Sequence, residues 1–130
     1  MRKNLSLLLL AAFLACLGTV ANASQENDLS GTWTGFAERQ GSQDSLTLVL
    51  TKKDNSYTGR LSDAMGMFQD VEITNFLQKG ETITFDFGGG MGGEVFNLKA
   101  ELKLSGDTMS GTWTMVGADD SGGFEVVRKK

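Results

Sequence analysis

Between Phe96 and Leu104 the chain reads Phe-Asn-Leu-Lys-Ala-Glu-Leu-Lys-Leu, apolar at every even position and polar or charged at every odd one. At helical spacing these residues would mix both classes on every face. At a period of two they give one wholly apolar and one wholly polar face, the pattern of a half-buried strand. The same alternation recurs at Leu46, Leu48, Leu50, at Tyr57, Gly59, Leu61, at Ile83, Phe85, Phe87 and at Met109, Gly111, Trp113, Met115. Proline is absent from the whole chain, so no position lacks the backbone N–H that strand pairing uses.

These segments predict eight strands, at about 31–38, 44–53, 57–62, 71–77, 82–87, 94–104, 108–115 and 124–128. Nothing after the first two dozen residues reads as a helix. The connections alternate in kind. Lys53-Asp54-Asn55-Ser56, Gln78-Lys79-Gly80-Glu81 and Ser105-Gly106-Asp107 are tight polar turns, whereas 39–43, 63–70, 88–93 and 116–123 are longer. In an up-and-down meander this puts every tight turn at one end and every long loop at the other. The expected fold is an eight-stranded antiparallel up-and-down β-barrel with a plain base and an elaborated mouth, and closure removes the exposed sheet edges. Leu46 to Gly59 and Leu98 to Gly111 echo one another as hairpins.

The first residues carry export signals. Arg2 and Lys3 precede an apolar run from Leu5 to Leu17, and Ala21-Asn22-Ala23 is an A-x-A cleavage site. The expected organisation is a signal peptide over 1–23 and a single barrel domain over 24–130, exported to the periplasm or secreted. The alternative is a lipobox-like reading of Phe13-Leu14-Ala15-Cys16, which makes Cys16 a lipid-anchored N-terminus. The apolar run is short for a transmembrane helix.

Residue types then exclude several functions. From Ser24 onward the chain carries 10 basic and 16 acidic residues, net −6, which disfavours nucleic acid as a partner. It has no histidine, and its one cysteine is Cys16. A Ser-His-Asp triad, a thiol nucleophile and a His-based zinc site are all ruled out of the mature chain. Asp119-Asp120 is a carboxylate pair in a Ser/Gly-rich loop and reads as turn solvation. Met65, Met67 and Met91 could offer thioethers to Cu(I), and Asp63, Asp70, Asp119 and Asp120 could offer oxygens to Ca²⁺, but His or Cys support and EF-hand spacing are both missing. The Gly88–Gly93 run lacks the Lys-Ser/Thr ending of a phosphate loop. The expectation is a non-enzymatic protein without metal or cofactor.

Ser-Gly-Thr-Trp-Thr occurs twice, at Ser30–Thr34 and Ser110–Thr114, each after an apolar residue, Leu29 and Met109. Gly31-Thr32-Trp33 resembles the Gly-x-Trp opening of the lipocalins and the Gly-Thr-Trp opening of avidin-like proteins, together the calycins. The resemblance implies a barrel in which a basic residue of the last strand packs over the first-strand Trp at the closed end. Arg128 is the matching residue, so Gly31, Trp33 and Arg128 are the expected barrel closure. The chain lacks a lipocalin-type C-terminal helix and disulfide, and avidin's set of aromatic biotin contacts is reduced to Trp33 and Trp113.

The second copy is expected to run the opposite way relative to the mouth, carrying Trp113 and Met115 upward. Met65-Gly66-Met67-Phe68 and the Gly88–Gly93 segment with Met91 fall at the predicted mouth. They read either as an adaptable apolar rim or as side chains folded inward to plug the barrel. The candidate ligand contacts are Met65, Met67, Phe68, Phe87, Met91, Trp113 and Met115. The expected function is binding of a small apolar or amphipathic ligand at the mouth. The alternative is a protein-interaction module, an inhibitor or an envelope accessory barrel with a filled interior.

Overall fold

The computed structural model describes residues 28–91 and 94–130, with the side chains of 90–94 outside that description. The expected leader, including Cys16 and the cleavage expected after Ala23, lies outside the described residues. Nine strands follow in order: β1 (Gly31–Arg39), β2 (Ser42–Lys53), β3 (Ser56–Asp63), β4 (Val71–Glu72), β5 (Thr74–Lys79), β6 (Thr82–Met91), β7 (Glu94–Ser105), β8 (Thr108–Met115) and β9 (Ser121–Arg128). Every pairing is antiparallel, in the order β4-β3-β2-β1-β9-β8-β7-β6-β5. The two ends of this sheet, β4 and β5, are consecutive in the chain and separated by Ile73 alone. The Ile73 N–H donates to the Gly59 carbonyl of β3 at 2.9 Å. The sheet is thereby rolled into a nearly closed, all-antiparallel barrel.

Nine strands replace the expected eight because the segment anticipated at 71–77 divides. Its first part pairs with β3 and its second with β6. Asn75 sits at φ 54°, and the β5–β6 register shifts between Thr74 and Leu77. A left-handed residue inside a strand interrupts the ladder and turns it, which is what a bulge does at a barrel seam.

Two expected loops are also corrected. The segment 39–43 is a two-residue hairpin turn, with Gln40 and Gly41 both at positive φ (50° and 83°) as a type I′ turn requires. The glycine run is strand rather than loop: Gly88, Gly89 and Gly90 pair with Asn97, Phe96 and Val95. Long connections remain at 64–70 and 116–120.

The base turns follow a regular interval. Their first residues are Asp54, Gly80 and Gly106, each 26 residues after the last, with φ of 55°, 60° and 60°. The hairpin echo in the sequence is two of these intervals: Leu50 faces Gly59 and Leu102 faces Gly111 at equivalent places. Positive φ at the first central residue alone is the type II′ arrangement, which favours glycine there. Asp54 occupies that position at a steric cost that Gly80 and Gly106 avoid. Asp54→Gly is therefore expected to stabilise the protein by about 0.5–1 kcal/mol, read as a higher midpoint in urea with unchanged slope.

Alternation decides what lies inside. Leu46, Leu48 and Leu50 of β2, Ile83, Phe85 and Phe87 of β6 and Leu98, Ala100 and Leu102 of β7 are all buried, as their parity predicts. Trp33, Leu48, Leu61, Ile83 and Val126 fill the lower barrel, each 0 % exposed, and Leu29 lies below them at 1 % exposure. The Leu29 N–H donates to the Tyr57 hydroxyl at 2.9 Å, fixing this plug to β3.

Candidate functional site

The base closes around Trp33. Arg128 lies directly opposite it on β9, and the guanidinium carbon stands 4.5 Å from the centre of the indole ring. Nη1 donates to the Ser30 carbonyl and Nη2 to the Asp28 carbonyl, both at 2.9 Å, while Nε donates to Asp107 Oδ1 at 3.2 Å. The indole N–H donates to the Leu29 carbonyl at 3.0 Å. One arginine fork thus ties the segment entering β1 to the β7–β8 turn, over an aromatic face that it also covers. Gly31, at φ 127°, makes the bend that brings these carbonyls beneath the guanidinium.

The mouth is different. Above the filled half lies a cavity of about 450 Å³, within the size range of small-molecule sites. Phe87, Trp113, Met115, Met65, Met67 and Phe68 all line it, so six of the seven candidate residues converge on one space. The seventh, Met91, ends β6 beside the mouth, and its side chain lies outside the described residues.

The three side chains of the 64–70 loop take different roles. Met65 is 68 % exposed and forms the outer rim. Met67 is half-buried. Phe68 folds inward to 7 % exposure and packs edge-on against Phe87, with ring centres 5.2 Å apart. The rim and the plug anticipated as alternatives are therefore both present, on neighbouring residues. Glycine makes the plug feasible: a Cβ on Gly89 would lie 2.5 Å from the Phe68 ring. Gly89 of β6 thus seats an aromatic ring that arrives from the 64–70 loop.

Phe124 completes an aromatic floor with Phe87, and Phe85 packs against both beneath it, at ring separations of 5.9–6.2 Å. Trp113 forms part of the wall at 5 % exposure. Its indole passes over Gly122 of the neighbouring strand, and its N–H reaches the Glu38 carbonyl of β1 at 3.1 Å. Both Ser-Gly-Thr-Trp-Thr copies rise from base to mouth, contrary to the expectation of opposite senses, since β1 and β8 are each antiparallel to β9. Height separates them. Trp33 faces Arg128 and Trp113 faces Gly122, six residues apart along β9 and roughly 20 Å along the strand.

Further cavity residues escaped the sequence reading. Ala37, Leu46, Phe96 and Leu98 have the same inward parity as core residues, and nothing in the sequence says which layer stays open. Asp44 did carry a signal, a charge on the inward parity of β2 above Leu46, as did Asp63 on β3 above Leu61. Among the described residues, Asp44 and Arg39 are the ionisable side chains of the cavity wall, and Arg39 is held at 2.8 Å by Asp120.

The two aspartates hold the 64–70 loop. Asp44 Oδ1 accepts from the Met65 N–H at 3.1 Å and Asp63 Oδ1 from the Phe68 N–H at 2.7 Å. Asp63 Oδ2 is buried and receives no donor among the described residues. Burial, and then the hydrogen bond and charge of Asp63, push the Asp44 carboxyl up to about 6, and a proton on Asp44 is the donor that fits the orphaned oxygen. The folded protein thus holds this proton more tightly than the unfolded chain, whose aspartate titrates near 3.8. The resulting stabilisation is fully present below pH 3.8 and is lost as pH rises through about 6. Asp44→Asn keeps the oxygen that accepts from Met65 and should lose this component of the pH dependence. Urea titrations of both proteins across that window measure it.

No family model, curated protein or solved structure matches this chain.

Proposed function

We propose that the protein is an exported, non-enzymatic binding protein that takes a small apolar or amphipathic molecule into the barrel mouth. The observation that carries this reading is the cavity of about 450 Å³ floored by Phe87 and Phe124, set above a layer of fully buried side chains, Trp33, Leu48, Leu61, Ile83 and Val126. A folded chain gains by filling such space. Its failure to do so, above a layer of fully buried side chains, fits a site kept for a ligand. The antiparallel barrel and the Trp33–Arg128 closure are compatible with a calycin-type cup. Burial of ligand surface at about 25 cal/mol per Å² supplies the driving force before the costs of association.

Trp113 gives the test a built-in reporter. In a Trp33→Phe variant the remaining indole lines the cavity, and titration with lipids, haem and neutral hydrophobic dyes should shift its emission. A ligand at about a hundred times its Kd should add roughly 2.7 kcal/mol of stability. A panel that moves neither the emission nor the melting temperature refutes the reading.

A second reading, a protein-interaction module of the cell envelope, draws on Val95 and Val116, 80 % and 65 % exposed. Here Met65 with these valines would meet a partner. Replacing Val95 and Val116, which do not line the cavity, by serine should abolish capture of an envelope protein in that case, and should leave small-ligand binding unchanged in the other.

A further inference from the structure

Polar groups are distributed unevenly around the cavity. The floor and the far wall are apolar: Phe87, Phe96, Leu98, Trp113, Met115 and Phe124. The polar lining is confined to the β1–β2 hairpin, through Arg39, Gln40, Ser42, Gln43 and Asp44. A ligand with one polar end would therefore bury its tail on the aromatic floor and turn its head toward the hairpin.

The charges on that side have a definite sign. Arg39, the one cation of the wall among the described residues, has its guanidinium on the Asp120 carboxylate at 2.8 Å. Among the described residues Asp44 has no cationic partner; its neighbours are the Ala64 and Met65 N–H groups and Asp63. Asp63 in turn presents a buried oxygen with no donor among the described residues. Asp44 on the wall, with Asp63 and Asp120 behind it, outnumber Arg39 three to one, so the head-group side of the cavity is an acidic surface short of positive charge.

Building on the ligand-binding reading, we infer that the natural ligand is a single-chain amphiphile with a cationic, amine-type head, seated against Asp44 with its tail on the Phe87–Phe124 floor. A carboxylate head would meet a guanidinium already neutralised and an uncompensated aspartate beside it. A neutral head would leave the Asp44–Asp63 repulsion in place. An ammonium supplies the missing charge and hydrogen-bond donors together. Two further sequence features take on meaning here. The rim thioether of Met65 adapts to tails of differing shape, and Asp44 breaks the apolar parity of β2 at the level where the head would lie.

The inference makes binding dependent on pH. Asp44, pushed up to about 6, must be ionised to hold the cation. The groups facing it are Asp63 from β3 and the Met65 N–H from the 64–70 loop, with the Arg39–Asp120 pair on the same wall. Affinity for a cationic head should rise as pH increases through that region, while affinity for a neutral head stays flat.

The decisive experiment compares dodecylamine, dodecanol and dodecanoate, one tail with three heads, by displacement of a neutral dye from the full chain at about pH 7.5 and about pH 5. The amine should bind about tenfold more tightly than the alcohol at the higher pH, with the carboxylate weakest. That preference should vanish at the lower pH and in Asp44→Asn. The pH arm uses the unaltered protein, so the test survives a variant that folds poorly. Equal binding of all three heads, or tighter binding of dodecanoate, overturns the inference and leaves the ligand reading standing. A preference for the amine that persists in a folded Asp44→Asn also overturns it. Failure of every tail to bind overturns both.

Discussion

Trp33→Ala should cost the protein about 3–5 kcal/mol, the range for removing a buried large aromatic. The residue is 0 % exposed, among the fully buried side chains of the lower barrel. Its loss would remove the face covered by Arg128 at 4.5 Å and the donor to the Leu29 carbonyl, so the plug below it and the last strand beside it would loosen together. Domains of this size hold about 5–15 kcal/mol in total, so the change would consume a large share. At roughly 4–8 °C per kcal/mol, a thermal melt would show it without ambiguity. Trp113→Ala should cost less, because its indole already borders the open cavity and fewer atoms lose a neighbour. Its larger consequence should fall on ligand affinity. If the two variants melt at the same temperature, the division between a structural base and a binding mouth is wrong.

Much of this arrangement is legible in the residues. Parity alone placed Leu46, Leu48, Leu50 of β2 and Leu98, Ala100, Leu102 of β7 inside. Turn chemistry placed the base at Asp54, Gly80 and Gly106. Those inferences succeed because strand parity and two-residue turns are local, set by residues adjacent in the chain. Three features were not legible, and each depends on a distant partner. The division of the fourth expected strand follows from the seam, where the Ile73 N–H meets Gly59 rather than β6. The glycine run of β6 resembles a loop until Phe68 arrives to lie on Gly89. The Asp44–Asp63 pairing needs the register of β2 against β3, which sets Leu46 opposite Asp63 and Asp44 one inward step above. For the mouth, the sequence identified residue types that could line a space. Which layer stays open depends on how far side chains reach across the barrel, and parity carries no information about that.

Gly35→Ala and Gly111→Ala should each cost about 3 kcal/mol or more, at the upper end of overpacking penalties. A Cβ on Gly35 would lie 1.8 Å from the Glu125 carbonyl oxygen, and one on Gly111 would lie 2.0 Å from that of Glu101. Both obstacles are backbone of a paired strand, so no rotamer change relieves them. The ladder itself would have to move. Glycines whose Cβ would meet the backbone of the neighbouring strand let a small barrel coil tightly enough to close, since a strand bends sharply where no side chain resists. The two glycines of the repeated pentapeptide therefore serve different ends: Gly31 for its φ of 127° under Arg128, Gly111 for the close approach of β7. Gly41→Ala is the control. Its φ of 83° is strained for alanine, but nothing lies within 4 Å of the added carbon, so its cost should stay near 1–2 kcal/mol. Chemical denaturation of the three variants separates the causes. If Gly111→Ala is no worse than Gly41→Ala, the glycine serves conformation rather than closure, and the barrel tolerates a wider β7–β8 spacing than its register implies.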